Sequence, residues 1–275
     1  MKLLLGHSPD ADDAFMFYAM AKGLVNLRGH EYEHILQDIE TLNRRCQNRE
    51  LDVSAVSFHA YTTIADRYAL LTCGASFGDG YGPCLVAKKK YSRDDLKKLR
   101  IAVPGLLTSA YLTLQLYLGL PHGKFQAIVV PFDKIQEEIL AGKAEAGLLI
   151  HEGQLTYAEE GFTLCEDLGK WWAHETGGLP LPLGGNVVRR ELGPEVIAAV
   201  SETLGESVRY GLDHRQAGVR HALPLSRGMD ENRTDKFIGM YVNELTLDFG
   251  PRGRAGLEEF YRRAKDAGLI RTSPL

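Results

Sequence analysis

The order strand, helix, helix, strand runs twice along this chain, and each run closes on a short apolar segment that stops at polar side chains. In the first run, residues 2–6 read as a strand and 14–22 as a helix closed by Gly23. Residues 40–48 follow as a helix, 52–57 as a buried strand and 58–66 as a further helix. In the second, residues 100–103 form a strand, Pro104-Gly105 a turn and 108–118 a helix; residues 135–140 are helical, Gly142 turns the chain and 145–150 form a strand. Aligned by pattern, residues 51–56 stand beside 144–149, a structural echo without shared residues. Strands joined through helices build parallel sheets covered on both faces, so an α/β fold is expected.

The Gly/Pro-rich stretch 177–185 follows the second run, and helical spacing returns over residues 194–211, 233–243 and 256–267. This predicts a bilobal, periplasmic-binding-protein-like fold (type II) with a cleft between two lobes. Lobe one would comprise residues 1–86 and 184–275, and lobe two residues 87–183. Ligands of open parallel sheets bind outside the carboxyl ends of the strands, which makes strand-end side chains the candidates for function.

His151-Glu152 is the foremost candidate, because an imidazole that titrates near neutral pH follows directly on the apolar run 146–150. Asp10, Asp12 and Asp13 sit where the first strand turns into a helix; there they either cap the helix or meet substrate hydroxyls. Their charge opposes a phosphate at that helix end. Ser57 and Thr108-Ser109 have the same double reading, as helix caps or as donors to a carboxylate or sugar hydroxyl. His59 is a weaker candidate for lining the cleft, and His7, His30, His34, His122, His174, His214 and His221 receive no role. Trp171-Trp172 either walls a pocket for an aromatic ligand or packs between the lobes.

With 32 Lys+Arg against 36 Asp+Glu and Lys88-Lys89-Lys90 as the longest basic run, neither nucleic acid nor an anionic membrane is an expected partner. A small-molecule substrate is expected, and a second copy of the chain is the one macromolecular partner left open. Residues 1–9 lack a secretory h-region, so the expected location is cytoplasmic. Cys46, Cys73, Cys84 and Cys165 form no C-x-x-C pair and read as reduced thiols. Metal ligation is not expected, because H-E-x-x-H is absent and the His30/His34 pair falls in a predicted surface strand or turn. Gly78, Gly80 and Gly82 follow no suitable strand for a dinucleotide fingerprint, and no G-x-S-x-G elbow occurs.

Five segments together carry a family resemblance: Ser8-Pro9-Asp10-x-Asp12-Asp13 with Phe15-x-Phe17-Tyr18; Ser57-Phe58-His59-Ala60-Tyr61; Thr108-Ser109-Ala110-Tyr111; Ile150-His151-Glu152; and Asp167-Leu168-Gly169-x-Trp171-Trp172 with Leu181-Pro182-Leu183-Gly184. In this order, nearly end to end, the chain resembles the 1,4-dihydroxy-6-naphthoate synthases of the futalosine route to menaquinone. The resemblance implies a lyase that releases 1,4-dihydroxy-6-naphthoate from cyclic dehypoxanthinylfutalosine without an organic cofactor. It implies His151 as the proton acceptor; Glu152, next in the chain, stands where it can orient or tune that base. Substrate contacts are implied at Ala55-Val56-Ser57 and Ser109-Ala110, with Thr108 adjacent. Ala55 departs from relatives that carry Lys there, so the substrate carboxylate would need other donors. Two rival functions are a chorismate dehydratase of the same pathway and a non-catalytic small-acid binding protein.

Overall fold

The computed structural model describes residues 1–121 and 123–275; His122 lies outside the described residues. The strands are β1 (Lys2–His7), β2 (Glu31–Leu36), β3 (Val53–Ser57), β4 (Tyr68–Leu70), β5 (Ser76–Gly78), β6 (Cys84–Ala87), β7 (Arg100–Val103), β8 (Gln126–Val129), β9 (Ala146–Leu149), β10 (Thr163–Asp167) and β11 (Leu181–Arg189). The chain divides into two compact units, one of residues 1–77 and 183–253, the other of residues 78–182 and 254–275.

The first unit holds a sheet ordered β2-β1-β3-β11-β4, with β5 added on β11. β1 runs parallel to both β2 and β3, whereas β11 meets β3 antiparallel. One side of β3 is packed by the helix Ile39–Gln47, whose Leu42 and Cys46 join Leu51, Val56 and Tyr68 in a continuous core. Phe15, on the helix Ala11–Met16, sits where Gly211 and Gly218 of two later helices leave room for its ring; a Cβ on Gly218 would come within 2.6 Å of it. The helix expected over residues 14–22 breaks at Phe17, which separates Ala11–Met16 from Tyr18–Ala21 and stacks its ring on His7 at 4.6 Å. That expected over residues 58–66 stops after Phe58–Tyr61.

The second unit repeats this plan. Its sheet is ordered β10-β6-β9-β7-β8, with β7 parallel to β8 and β9, and β6 antiparallel to β9. Strand alternation sends Leu85, Ile101, Val103 and Leu148 into one apolar layer and Val86, Ala102 and Leu149 into another. The last helix, Gly250–Asp266, enters this unit beyond residue 253: Phe260 meets Trp172 edge-on at 5.7 Å and the Arg263 guanidinium lies over the same indole. Trp172 is fully buried with Nε1 donating to Pro180 O, so it belongs to the interior and walls no pocket; Trp171 packs on Tyr117.

Of the glycines at 78, 80 and 82, Gly78 and Gly82 serve close backbone packing and Gly80 a turn. Gly80 has a positive φ, and a Cβ on Gly169 would stand 1.9 Å from the Tyr81 carbonyl carbon, so loop and helix backbones touch directly. The basic run is structural too, with Lys90 Nζ donating to the carbonyls of Leu164 and Cys165. All four cysteines are buried and unbridged. Among the described residues, no helix is long and apolar enough to cross a membrane.

Gly147 and Gly205 test this packing in opposite directions. A Cβ at Gly147 would lie 2.3 Å from Ile135 Cγ2, so Gly147→Ala should lower stability by about 1–3 kcal/mol, as overpacking does. Gly205, within the helix Pro194–Asp213, has open space around it, and Gly205→Ala should add about 0.5–1 kcal/mol. Urea unfolding midpoints measure both.

Candidate active site

In the first unit the candidate residues gather where β1 and β3 end. Leu5 and Gly6 pair in parallel with Val53 and Ser54, so Ser8–Asp13 and Ser57 leave the sheet at the same edge. Ser8 holds the loop through two donors: its N–H reaches Asp13 Oδ2 and its hydroxyl reaches Asp10 Oδ2, both at 2.6 Å. Asp10 occupies the N-cap position of Ala11–Met16 yet makes no side-chain cap bond, so capping does not account for it. One carboxylate oxygen from each of Asp10, Asp12 and Asp13 falls within 4.8 Å of the others. Burial, and then the charge of Asp10, push the Asp13 carboxyl up to about 8, against the opposing pull of the Ser8 N–H.

His7, buried, and His34, half-buried, both given no role from sequence, pair beside this loop. His7 Nδ1 lies 3.3 Å from the Ser8 carbonyl, which accepts only, so that nitrogen carries the proton. Nε2 of neutral His7 then accepts from Nδ1 of His34 at 3.0 Å. Burial lowers His7 to about 4, assisted by His34, and burial also lowers His34.

Ala55, Val56 and Ser57 pair with Asn186, Gly185 and Gly184 of β11 and are buried. Ser57 stands at the N-cap of Phe58–Tyr61 without a side-chain cap bond. It is engaged instead by Asn43, which sequence reasoning missed: Ser57 N donates to Asn43 Oδ1 at 2.9 Å, and Asn43 Nδ2 donates to Ser57 Oγ at 3.1 Å. The backbone donor fixes which way the amide faces, so Ser57 Oγ accepts from Asn43 and its own proton points elsewhere. Only the helical period placing Asn43 one turn from the predicted helix start hinted that it faces β3. His59 is half-buried on the short helix that follows.

In the second unit, the remaining candidates follow the parallel trio β9-β7-β8. Thr108 caps the helix Ser109–Leu118: Oγ1 accepts from Tyr111 N at 3.1 Å and donates to Gly105 O at 2.9 Å. The helical ladder starts with Leu112 N donating to Thr108 O, so the N–H groups of Ser109 and Ala110 lie in the anion-attracting first turn. Beyond β9, His151 is half-buried and Glu152 and Gln154 are buried; Gln154 N donates to His151 O as the chain turns into Gly153–Thr156. Phe132, beyond β8, meets the His151 ring at a centroid distance of 3.8 Å and a tilt of 54°.

The buried titratable groups give a signed pH dependence. Below 6.5 an unfolded chain protonates its histidines while His7 stays neutral, so His7 withdraws stability as pH falls from 6.5 toward about 4, by roughly 3 kcal/mol in all. Asp13 does the reverse: its unfolded form ionises above 3.8, so its contribution declines as pH rises toward about 8. Relative to the parent chain, Asp13→Asn should flatten the decline above pH 6.5, and His7→Phe should shrink the loss of stability between pH 6.5 and pH 4, with the lowered His34 contributing part of what is left. Unfolding midpoints across pH 4–8 check both signs.

Comparison with known proteins places this geometry in a family. The family described as menaquinone biosynthesis matches residues 3–266. A Thermus thermophilus protein named 1,4-dihydroxy-6-naphtoate synthase is 37% identical over 99% of this chain and 97% of its own length. A Streptomyces coelicolor protein of the same name is 34% identical over 98% and 94%. The crystal structure of protein AF1704 from Archaeoglobus fulgidus superposes with a TM-score of 0.92 at 44% identity, covering 98% of each chain. A Candida albicans protein described as having the generic periplasmic binding protein fold superposes at 0.73 with 13% identity, covering 99% of this chain and 92% of that one, which shows the fold alone. The chain belongs to the menaquinone-biosynthesis family, an enzyme with the periplasmic-binding-protein-like fold that is related end to end to proteins named 1,4-dihydroxy-6-naphtoate synthase.

Proposed function

We propose that this enzyme is a lyase that converts cyclic dehypoxanthinylfutalosine to 1,4-dihydroxy-6-naphthoate, with His151 as general base and no organic cofactor. The observation that carries the reading is His151 at the carboxyl end of β9, in the same parallel trio whose β7 leads into the helix start at Ser109-Ala110. A base serves best with a pKa near the working pH, which imidazole has by nature. Loss of a proton to His151 as the sugar-derived fragment departs lets the bicyclic ring aromatise. That gain supplies driving force and leaves positioning as the protein's main task.

The proposed substrate contacts are Asp10, Ala55, Val56 and Ser57 in the first unit and Thr108, Ser109, Ala110 and Glu152 in the second. Ser57, engaged by Asn43 through its oxygen, would act as a donor toward a substrate acceptor. The N–H groups of Ser109 and Ala110 suit a carboxylate, the group for which Ala55 offers no cation. Thr108 would contribute by holding the turn, since its hydroxyl already donates to Gly105 O.

Incubation with cyclic dehypoxanthinylfutalosine, without added metal or cofactor, should yield 1,4-dihydroxy-6-naphthoate by absorbance and mass. His151→Asn should bind the substrate but lower turnover by roughly two or more orders of magnitude, the usual worth of a positioned base. Near-normal turnover in that variant would remove His151 from the chemistry. Turnover of chorismate instead would reassign the reaction, and binding of both compounds without product would mark a receptor.

A further inference from the structure

We propose that Phe132 is a positioning residue for His151, one that holds the imidazole in place and stabilises the cation formed when the ring accepts a proton. The inference rests on the reading of His151 as general base. Its starting point is the 3.8 Å separation of the two ring centroids, closer than the 4.5–7 Å usual for aromatic pairs, at a tilt of 54°. An aromatic ring carries negative potential on its face and attracts a cation within about 6 Å of its centroid. The attraction is weak while the imidazole is neutral and grows as the proton arrives. It therefore stabilises the transition state more than the ground state, which is the kind of interaction that raises kcat.

Packing holds this contact in place. Phe132 opens a single 3-10 turn, Phe132–Lys134, closed by Lys134 N donating to Pro131 O at 2.8 Å. That turn runs directly into the helix Ile135–Leu140. Ile135, fully buried, fits against the bare Cα of Gly147, four residues before His151. On the other side of His151, Gly153 lies against Gln136 of the same helix, where a Cβ would meet Oε1 at 3.0 Å. One helix thus carries Phe132 on its leading turn and packs against chain on both sides of His151, although β7 separates β8 from β9 in the sheet. Each ring is half-buried, so the pair lies at the surface of the unit and outside its core.

If Phe132 only fills space, an aliphatic side chain of similar size replaces it; if the ring itself matters, only another aromatic does. Phe132→Leu should lower kcat by about five- to thirtyfold, the rate equivalent of a cation–π contact of about 1–2 kcal/mol, with KM changed by less than about twofold. Phe132→Tyr should restore kcat to within about threefold of the parent, and both variants should melt within about 4 °C of it. In His151→Asn, adding Phe132→Leu should cost nothing further, because the two side chains act as a unit. Wild-type kcat in Phe132→Leu, or equal loss in Phe132→Tyr, would overturn the proposal; Phe132→Met supplies the same aliphatic test should the leucine variant fail to fold. His151→Asn run alongside separates the two ideas. Activity there sinks the base assignment itself, whereas its inactivity beside a fully active Phe132→Leu sinks only the role of Phe132.

Discussion

Parallel pairing of strands is the constraint on which the rest of this structure depends. A parallel pair cannot be closed by a tight turn, so each strand must leave the sheet and return through a crossover, and all its carboxyl ends emerge at one edge. In the first unit β1 stands between two parallel partners, β2 and β3; in the second β7 stands between β8 and β9. An antiparallel strand then completes each set, β11 beside β3 and β6 beside β9. These fourth strands come from opposite directions along the chain, β6 before its set and β11 after the other set has been built. Ser8–Asp13, Ser57, Thr108–Ala110, Phe132 and His151 are functional candidates because this geometry sends the segments that carry them to strand ends.

The polar groups at those ends are held by specific partners, and the partners sort capping from other work. Thr108 has the bonds of a cap, accepting from the helix and donating back into its own turn. Ser57 and Asp10 occupy cap positions without using their side chains as caps, and both are engaged elsewhere, Ser57 by Asn43 and Asp10 by Ser8. His7, His34 and Asp13 show the cost of building such an edge from titratable groups. Each is pushed toward its neutral form by burial, so the loop after β1 depends on groups that prefer not to be charged.

Much of the scaffold was legible because it follows from period and punctuation. The repeated pattern anticipated β1, β3, β7 and β9, and the alignment of residues 51–56 with 144–149 anticipated that β3 and β9 hold equivalent places. Less legible were features set by contacts between distant segments. The break at Phe17, whose ring stacks on His7, is one, and no local propensity signals it. Sequence leaves Trp172 with a ligand-facing and a packing reading, and only Phe260, Arg263 and the Pro180 carbonyl around it decide for packing. Likewise the helix Gly250–Asp266 shows a clear amphipathic period, but period alone does not say which unit its apolar face covers.

By itself, then, the sequence determined β1, β3, β7 and β9, the helices that follow them and the strand ends at which ionisable side chains emerge, because hydrophobic period and turn residues act over a few residues at a time. Only the tertiary structure decided which side chains share those ends. The meeting of Asn43 with Ser57, of His7 with His34 and of Phe132 with His151 joins residues from separate elements, brought together by sheet order and helix packing. Hydrogen bonding, burial and ring contact act between neighbours in space, and sequence spacing records none of these pairings.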